Sequence, residues 1–98
     1  MGDAQAIADV LAERKRQTSL GHVHDHDDGL DILRVVPLPS AASVRALCEA
    51  GETWSLVLLE EVLEALEART EEELREELVQ VAAVAVRWAG AIDVREGE

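Results

Sequence analysis

Residues 78–92 have the sequence LVQVAAVAVRWAGAI, the longest apolar stretch of the chain. Twelve of its fifteen residues are Ala, Val, Leu, Ile or Trp, and Gln80 and Arg87 supply its only amide and charged side chains. This composition predicts a helix that is apolar on almost every side and must therefore be covered. A chain of 98 residues buries only about 60–65% of its surface when it folds alone. We therefore expect a homodimer or larger homo-oligomer with this helix in the interface.

Capping residues predict where this helix and the preceding one begin. Thr70 and Glu73 form the capping-box pattern Thr-x-x-Glu, which predicts a helix that starts there and continues to about Ala91. Thr53 can act as the N-cap of the preceding helix, which we expect over Trp54–Ala68.

Two further helices are expected closer to the N terminus. Ser40 can cap a helix that Gly51 ends. Apolar residues recur at helical spacing over residues 3–18, and residues 21–38 form a polar loop by composition. The expected fold is all-α, with four helices in a bundle-like single domain over residues 1–98.

The composition supports helices and limits the possible partners. Phe and Tyr are absent, so Leu, Val and Ala must form the core, a set that favours helices over strands. The chain has 21 acidic and 9 basic residues, a net charge of -12, which disfavours binding to nucleic acid and to anionic membranes. A single cysteine, Cys48, excludes an intrachain disulfide and predicts a reducing, cytoplasmic location.

All the histidines lie in the polar loop, at His22, His24 and His26. Alternating histidines without a second cluster of ligands are a weak indication of a zinc site. We expect a polar loop here, and a metal site is the less favoured alternative.

Carboxylates are concentrated in one part of the chain. Ten glutamates lie between Glu52 and Glu77, a stretch with only two arginines. Within it, Glu61 and Glu64 are three residues apart on helix three, about 60° around the helix axis, and Glu77 and Gln80 repeat this spacing on helix four. If the two helices form a hairpin, three carboxylates and one amide oxygen can line a pocket. Oxygen ligands of this kind favour Mg²⁺ or Mn²⁺ over zinc.

A solvated face is the alternative interpretation of these glutamates. On helix three the periodicity predicts that Glu60, Glu64 and Glu67 face solvent, opposite an apolar stripe. That stripe comprises Leu58, Leu59, Val62 and Leu66. In the first turn of helix four, residues 71–73 are glutamates that the helix dipole favours.

Helix four instead favours a buried polar pocket. One stripe along it comprises Glu77, Gln80, Val84 and Arg87. Burying an acid, an amide and a guanidinium on one face is costly unless they share partners. We therefore expect these polar groups to meet in a common site.

The paired motifs Glu61-x-x-Glu64 and Glu77-x-x-Gln80 on successive helices resemble the Glu-x-x-Glu and Glu-x-x-Asp motifs of the MazG-like, all-α nucleoside triphosphate pyrophosphohydrolases. The flanking sequences TWSLVLLEEV, residues 53–62, and ELVQVAAVAVRW, residues 77–88, are similar to the small actinobacterial and phage-type members. Gln80 stands where the family has Asp.

The resemblance implies the all-α NTP pyrophosphatase fold, with helices paired across a homodimer. It also implies cleavage of (deoxy)nucleoside triphosphates between the α and β phosphates, giving a monophosphate and pyrophosphate. The implied cofactor is Mg²⁺, with Mn²⁺ as a substitute. The implied catalytic residues are Glu61, Glu64 and Glu77, and the same residues with Gln80 would bind the metal.

Phosphate oxygens of the substrate need cationic partners, and arginine suits them because it can bind bidentately. The expected substrate-binding residues are Arg14, Lys15, Arg16, Gln17 and Arg87. The alternative function is a non-catalytic helical dimer that binds a nucleotide or a protein as an adaptor.

Overall fold

The computed structural model describes residues 2–21, 25–30 and 32–97, and within these ranges the chain contains helices and no strand. The α-helices are α1 (Gly2–Ser19), α2 (Ala41–Ala50), α3 (Trp54–Leu66) and α4 (Glu71–Gly97), and a 3₁₀ helix covers Ile32–Arg34. The predicted all-α class is confirmed. None of the described helices is both long and apolar enough to cross a membrane.

The predicted N-caps of α2 and α3 are confirmed. Ser40 Oγ accepts a hydrogen bond from the backbone N–H of Ser43 at 3.1 Å, and Thr53 Oγ1 accepts one from that of Leu56 at 3.2 Å. Gly51 ends α2 as predicted, and its N–H donates to carbonyls of the last turn. The side chains of Ser40 and Thr53 each accept a hydrogen bond from an N–H group that has no partner inside its helix.

The start of α4 uses a variant of the predicted capping box. The N–H of Glu73 donates to Thr70 Oγ1 at 3.1 Å, as in the standard box. The carboxylate of Glu73, however, accepts from the N–H of Arg69 at 3.0 Å and not from that of Thr70. The carboxylate therefore fixes the residue before the cap, which belongs to the link between α3 and α4.

Two predicted helix ends were wrong. Helix α3 ends at Leu66, two residues before Ala68, because the N–H of Ala68 bonds three residues back, to the carbonyl of Ala65, in a tight closing turn. Helix α4 continues past Ala91 to Gly97. No proline interrupts this extension, and Arg95 in the last turn complements the helix dipole.

The contacts divide the chain into two units, and the division falls within α4. The first unit combines the residues up to Asp27 with those from Val86 onward, and the second is Asp28–Ala85. In the first unit, the backbones of Gly2 and Gly90 approach so closely that a Cβ on Gly90 would lie 2.8 Å from the carbonyl carbon of Gly2. Glycine at position 90 therefore permits close packing of the two helices.

In the second unit, α2 and α3 pack against each other around a small apolar core. Ala41 and Val44 of α2 and Leu63 of α3 are buried, and Leu56 packs against them. Leu56 and Leu63 are seven residues apart, a spacing that puts both on one face of α3.

The buried face of α3 differs from the predicted stripe. Leu59 is 41% exposed, whereas the side chains of Glu60 and Glu64 are only 15% and 24% exposed. Positions 56, 60, 63 and 64 share a face of the helix, so these two glutamates border the core. The prediction that Glu60 and Glu64 face solvent is wrong, because α2 packs on the side of α3 that carries Leu63.

Candidate metal centre

Three half-buried carboxylates converge in the second unit. Glu61 and Glu64 of α3 and Glu77 of α4 each provide an oxygen, and these oxygens all lie within 4.8 Å of one another. Glu77 follows Glu64 by thirteen residues, which would separate them by about 20 Å along one continuous helix. The chain must therefore turn back in the link between α3 and α4. We refer to these three side chains as the acid triad.

One oxygen of the acid triad lacks any donor. Glu61 Oε2 is buried and has no hydrogen-bond partner within residues 2–21, 25–30 and 32–97. Burial raises the pKa of Glu61 above its usual value, and the charges of Glu64 and Glu77 raise it further. A buried carboxylate oxygen without a partner is unfavourable unless a proton or a cation approaches it.

Glu77 is affected in the same direction. Partial burial is the largest cause that raises the pKa of Glu77. The charge of Glu64 and a hydrogen bond with that residue raise it further. Two carboxyl groups of the acid triad therefore hold their protons more tightly than ordinary glutamates do. A divalent cation would relieve this repulsion by supplying positive charge between the carboxylates.

A cationic side chain from α2 contacts the acid triad, and it was not among the site residues predicted from the sequence. Arg45 Nε donates to Glu60 Oε1 at 2.6 Å, and its Nη2 donates to Glu64 Oε1 at 2.7 Å. These ion pairs raise the pKa of Arg45, chiefly through the bond to Glu60. One signal was present in the sequence, since Arg45 is the sole basic residue between Arg34 and Arg69.

Cys48 lies beside the same carboxylate. Its Sγ is 3.9 Å from Glu60 Oε2. Burial raises the pKa of the Cys48 thiol, and the charges of Glu60 and Glu52 raise it further. The thiol is therefore protonated at neutral pH, which makes it a poor nucleophile.

Gln80 and Arg87, the other polar residues of the predicted stripe, are exposed. Val84 is the buried member of that stripe. The expectation of a fully buried polar stripe is wrong, because positions 80 and 87 lie about 60° and 80° around the helix from Glu77. Gln80 stays a candidate metal ligand because it lies one turn beyond Glu77 on α4.

The basic cluster of α1 belongs to the first unit, and part of it is already paired. Arg16 donates to Glu13 from Nε at 2.7 Å, and Gln17 donates to the same carboxylate at 3.0 Å. Arg14 and Gln17 line a cavity of about 370 Å³ that Asp93 also lines. Lys15 is exposed. The role of these residues and Arg87 in phosphate binding stays a prediction.

The histidine loop is only partly described. His22 and His24 lie outside the described residues. His26 is exposed, and its backbone N–H donates to Asp25 Oδ1 at 2.9 Å. The alternative of a metal site in this loop therefore stays open.

The second unit also contains a cavity of about 690 Å³, whose lining residues were not predicted from the sequence to form a site. They are Leu30, Leu33, Arg34, Leu66, Glu67, Ala68 and Arg69. Its volume is in the range of small-molecule sites, and its two arginines could bind an anionic group.

Comparisons with known proteins identify no relative. No protein-family model, curated protein or solved structure matches this chain. The likeness to the MazG-like enzymes therefore rests on the residues quoted above.

Proposed function

We propose that this chain is a Mg²⁺-dependent nucleotide pyrophosphohydrolase that cleaves (deoxy)nucleoside triphosphates between the α and β phosphates. The proposal combines the resemblance of the paired motifs with one observation, the convergence of three carboxylates within 4.8 Å. The buried oxygen of Glu61 adds support, because it is a potential metal ligand for which the described residues provide no hydrogen-bond donor.

The acid triad fits a hard divalent cation. Glu61, Glu64 and Glu77 would hold it through carboxylate oxygens, and Gln80 would add a neutral oxygen. Such ligands suit Mg²⁺ and Mn²⁺. When bound, the cation neutralises charge on the triphosphate and polarises the phosphorus that is attacked.

The chain's own residues supply proton transfer and phosphate binding. One carboxylate of the acid triad would orient or deprotonate the attacking water. Phosphate oxygens would be bound by the cationic and amide side chains predicted from the sequence, which are Arg14, Lys15, Arg16, Gln17 and Arg87.

We also propose that the chain forms a homodimer through α4. Leu78 and Val79 of this helix are both half exposed, and Ile92 and Val94 also expose apolar surface. Replacing Leu78 by Glu is expected to shift the dimer to monomer, as measured by analytical ultracentrifugation at micromolar concentration. An unshifted dimer would place the interface elsewhere, and a monomeric unsubstituted protein would contradict the dimer.

We place the protein in the cytoplasm because it has a single cysteine.

Pyrophosphate release from a panel of dNTPs and NTPs, with Mg²⁺ or Mn²⁺, tests the activity. We expect turnover by the unsubstituted chain and none by Glu61→Gln. Glu72→Gln removes an exposed carboxylate from the first turn of α4 and serves as the matched control. If no nucleotide is hydrolysed, the enzymatic proposal fails.

An adaptor is the second candidate, and the neutral ligand Gln80 favours it. Calorimetry separates the two functions, because an adaptor with a solvated acidic face takes up no stoichiometric Mn²⁺ with a nucleotide. Stoichiometric uptake with turnover would exclude the adaptor.

A further inference from the structure

The guanidinium of Arg45 binds carboxylate oxygens that would otherwise be available to a metal ion. It bonds to Glu60 at 2.6 Å and to Glu64 at 2.7 Å, through two different nitrogens. Glu64 belongs to the acid triad, and Glu60 is next to Glu61 in sequence. Arg45 therefore links the acid triad to a fourth carboxylate that is only 15% exposed.

The guanidinium of Arg45 lowers the negative charge that is available to a second divalent cation at this site. The acid triad and Glu60 together carry four negative charges when ionised. Arg45 supplies one positive charge, which leaves three for a cation in the acid triad. Without the guanidinium, four carboxylates would match the charge of two divalent cations. Carboxylates that bridge two metal ions are common in such two-metal sites.

We propose that Arg45 fills the position of a second divalent cation and thereby limits the site to one Mg²⁺ or Mn²⁺ per chain. The planar fork of arginine suits this role, because it binds two separate carboxylates in a fixed geometry. The inference concerns the stoichiometry of the proposed metal centre and rests on that proposal for its location.

Removing Arg45 is not expected to unfold the chain. Its side chain is 63% exposed, and ion pairs of exposed residues contribute little to stability. Arg45→Met keeps the length and the apolar stem of the side chain while removing its charge. Arg75→Met is the matched control, since Arg75 is an exposed arginine of α4 in the same unit.

The experiment counts Mn²⁺ ions by isothermal titration calorimetry and by electron paramagnetic resonance. We expect one ion per unsubstituted chain, two per Arg45→Met chain and one per Arg75→Met chain. The second ion should give the dipolar broadening of a close Mn²⁺ pair, a signature that a purely structural role of Arg45 would not produce. Circular dichroism checks that each variant is helical.

A double variant identifies the ligand that Arg45 withholds. Adding Glu60→Gln to Arg45→Met is expected to return the count to one, because the freed carboxylate is removed. An unchanged count in Arg45→Met, or a count of two in the double variant, would overturn the inference. The count in the unsubstituted chain separately tests the proposed function. If that count is zero, the metal centre is wrong, whereas the increase of one ion tests Arg45 alone.

Discussion

The second unit contains two sets of glutamates with opposite surroundings. At the helix ends, Glu67 accepts a hydrogen bond from the N–H of Ala41 at 2.7 Å, and Glu73 accepts one from the N–H of Arg69 at 3.0 Å. In the acid triad, carboxylates face one another, and an oxygen of Glu61 has no partner. The residue type is the same, but the first set accepts hydrogen bonds from backbone N–H groups, whereas in the acid triad Arg45 bonds to Glu64 and leaves an oxygen of Glu61 unpartnered among the described residues. The first set therefore stabilises the helix ends, and the second set holds like charges close together, which would favour a cation.

The largest difference between the two sets should appear in cation binding. Glu61→Gln replaces one of the three charged ligands of the cation by a neutral one, and we expect Mn²⁺ binding to weaken roughly a thousandfold, which corresponds to about 4 kcal/mol. Glu73→Gln should leave the affinity unchanged. Calorimetric titration of both variants measures this difference. Equal affinities in Glu61→Gln and the unsubstituted chain would contradict a role for Glu61 as a ligand.

The same two substitutions should change the Tm in opposite directions, upward for Glu61→Gln and downward for Glu73→Gln, which loses the acceptor of a hydrogen bond. Without added metal, Glu61→Gln is expected to raise the Tm, because it removes like-charge repulsion and the burial of a charge. Thermal unfolding in EDTA measures this. A lower Tm would show that Glu61 has a donor in solution.

Loss of a helix-end carboxylate should be a moderate effect on stability alone. Glu67→Ala removes the acceptor for the first N–H of α2, and we expect a loss of about 1 kcal/mol, as for a helix cap. This corresponds to roughly 4–8 °C in Tm for a domain of this size. Glu72→Ala, in the first turn of α4, controls for the loss of a carboxylate, and Mn²⁺ affinity should not change in either variant. An equal loss of Tm in both variants would show that the bond to Ala41 contributes nothing specific.

The smallest effect should be the contribution of the acid triad to the pH dependence of the free energy of unfolding. The pKa values of Glu61 and Glu77 are raised from 4.5 in the folded chain. Above about pH 4.5, the folded chain therefore binds more protons than the unfolded chain, and this contribution to the free energy of unfolding falls as pH rises. We expect the decrease in metal-free Tm from pH 4.5 toward neutrality to be steeper in the unsubstituted chain than in Glu61→Gln. Saturating Mn²⁺ should remove the difference, and parallel curves without metal would contradict the raised pKa of Glu61.

The local rules of helix formation predicted most of the secondary structure correctly. Ser40, Thr53 and Thr70 cap their helices as expected, because N-cap hydrogen bonds depend only on residues within one turn. The helix ends at Leu66 and Gly97 were less predictable, since several residues at each end are compatible with either state.

The surroundings of individual side chains were harder to predict. Periodicity placed only part of the buried face of α3 correctly: Leu59 is exposed, whereas Leu63 lies in the core, because the position of α2 decides which leucines are buried. Glu60 and Glu64 therefore lie at the border of the core, whereas periodicity predicts that they face solvent. Arg45 was missed for the same reason, since its partners follow it by fifteen and nineteen residues.

The four helices, their caps, and the spacing that puts Glu61 and Glu64 on one side of α3 could be predicted from the sequence. These properties follow from interactions within one or two turns of a helix. The packing of the helices sets the three other features of the site: Glu77 reaches the same point, an oxygen of Glu61 has no donor among the described residues, and Arg45 bonds to Glu60 and Glu64. Those outcomes depend on how separate helices pack, because burial and the approach of distant charges are set by neighbours that are remote in the chain.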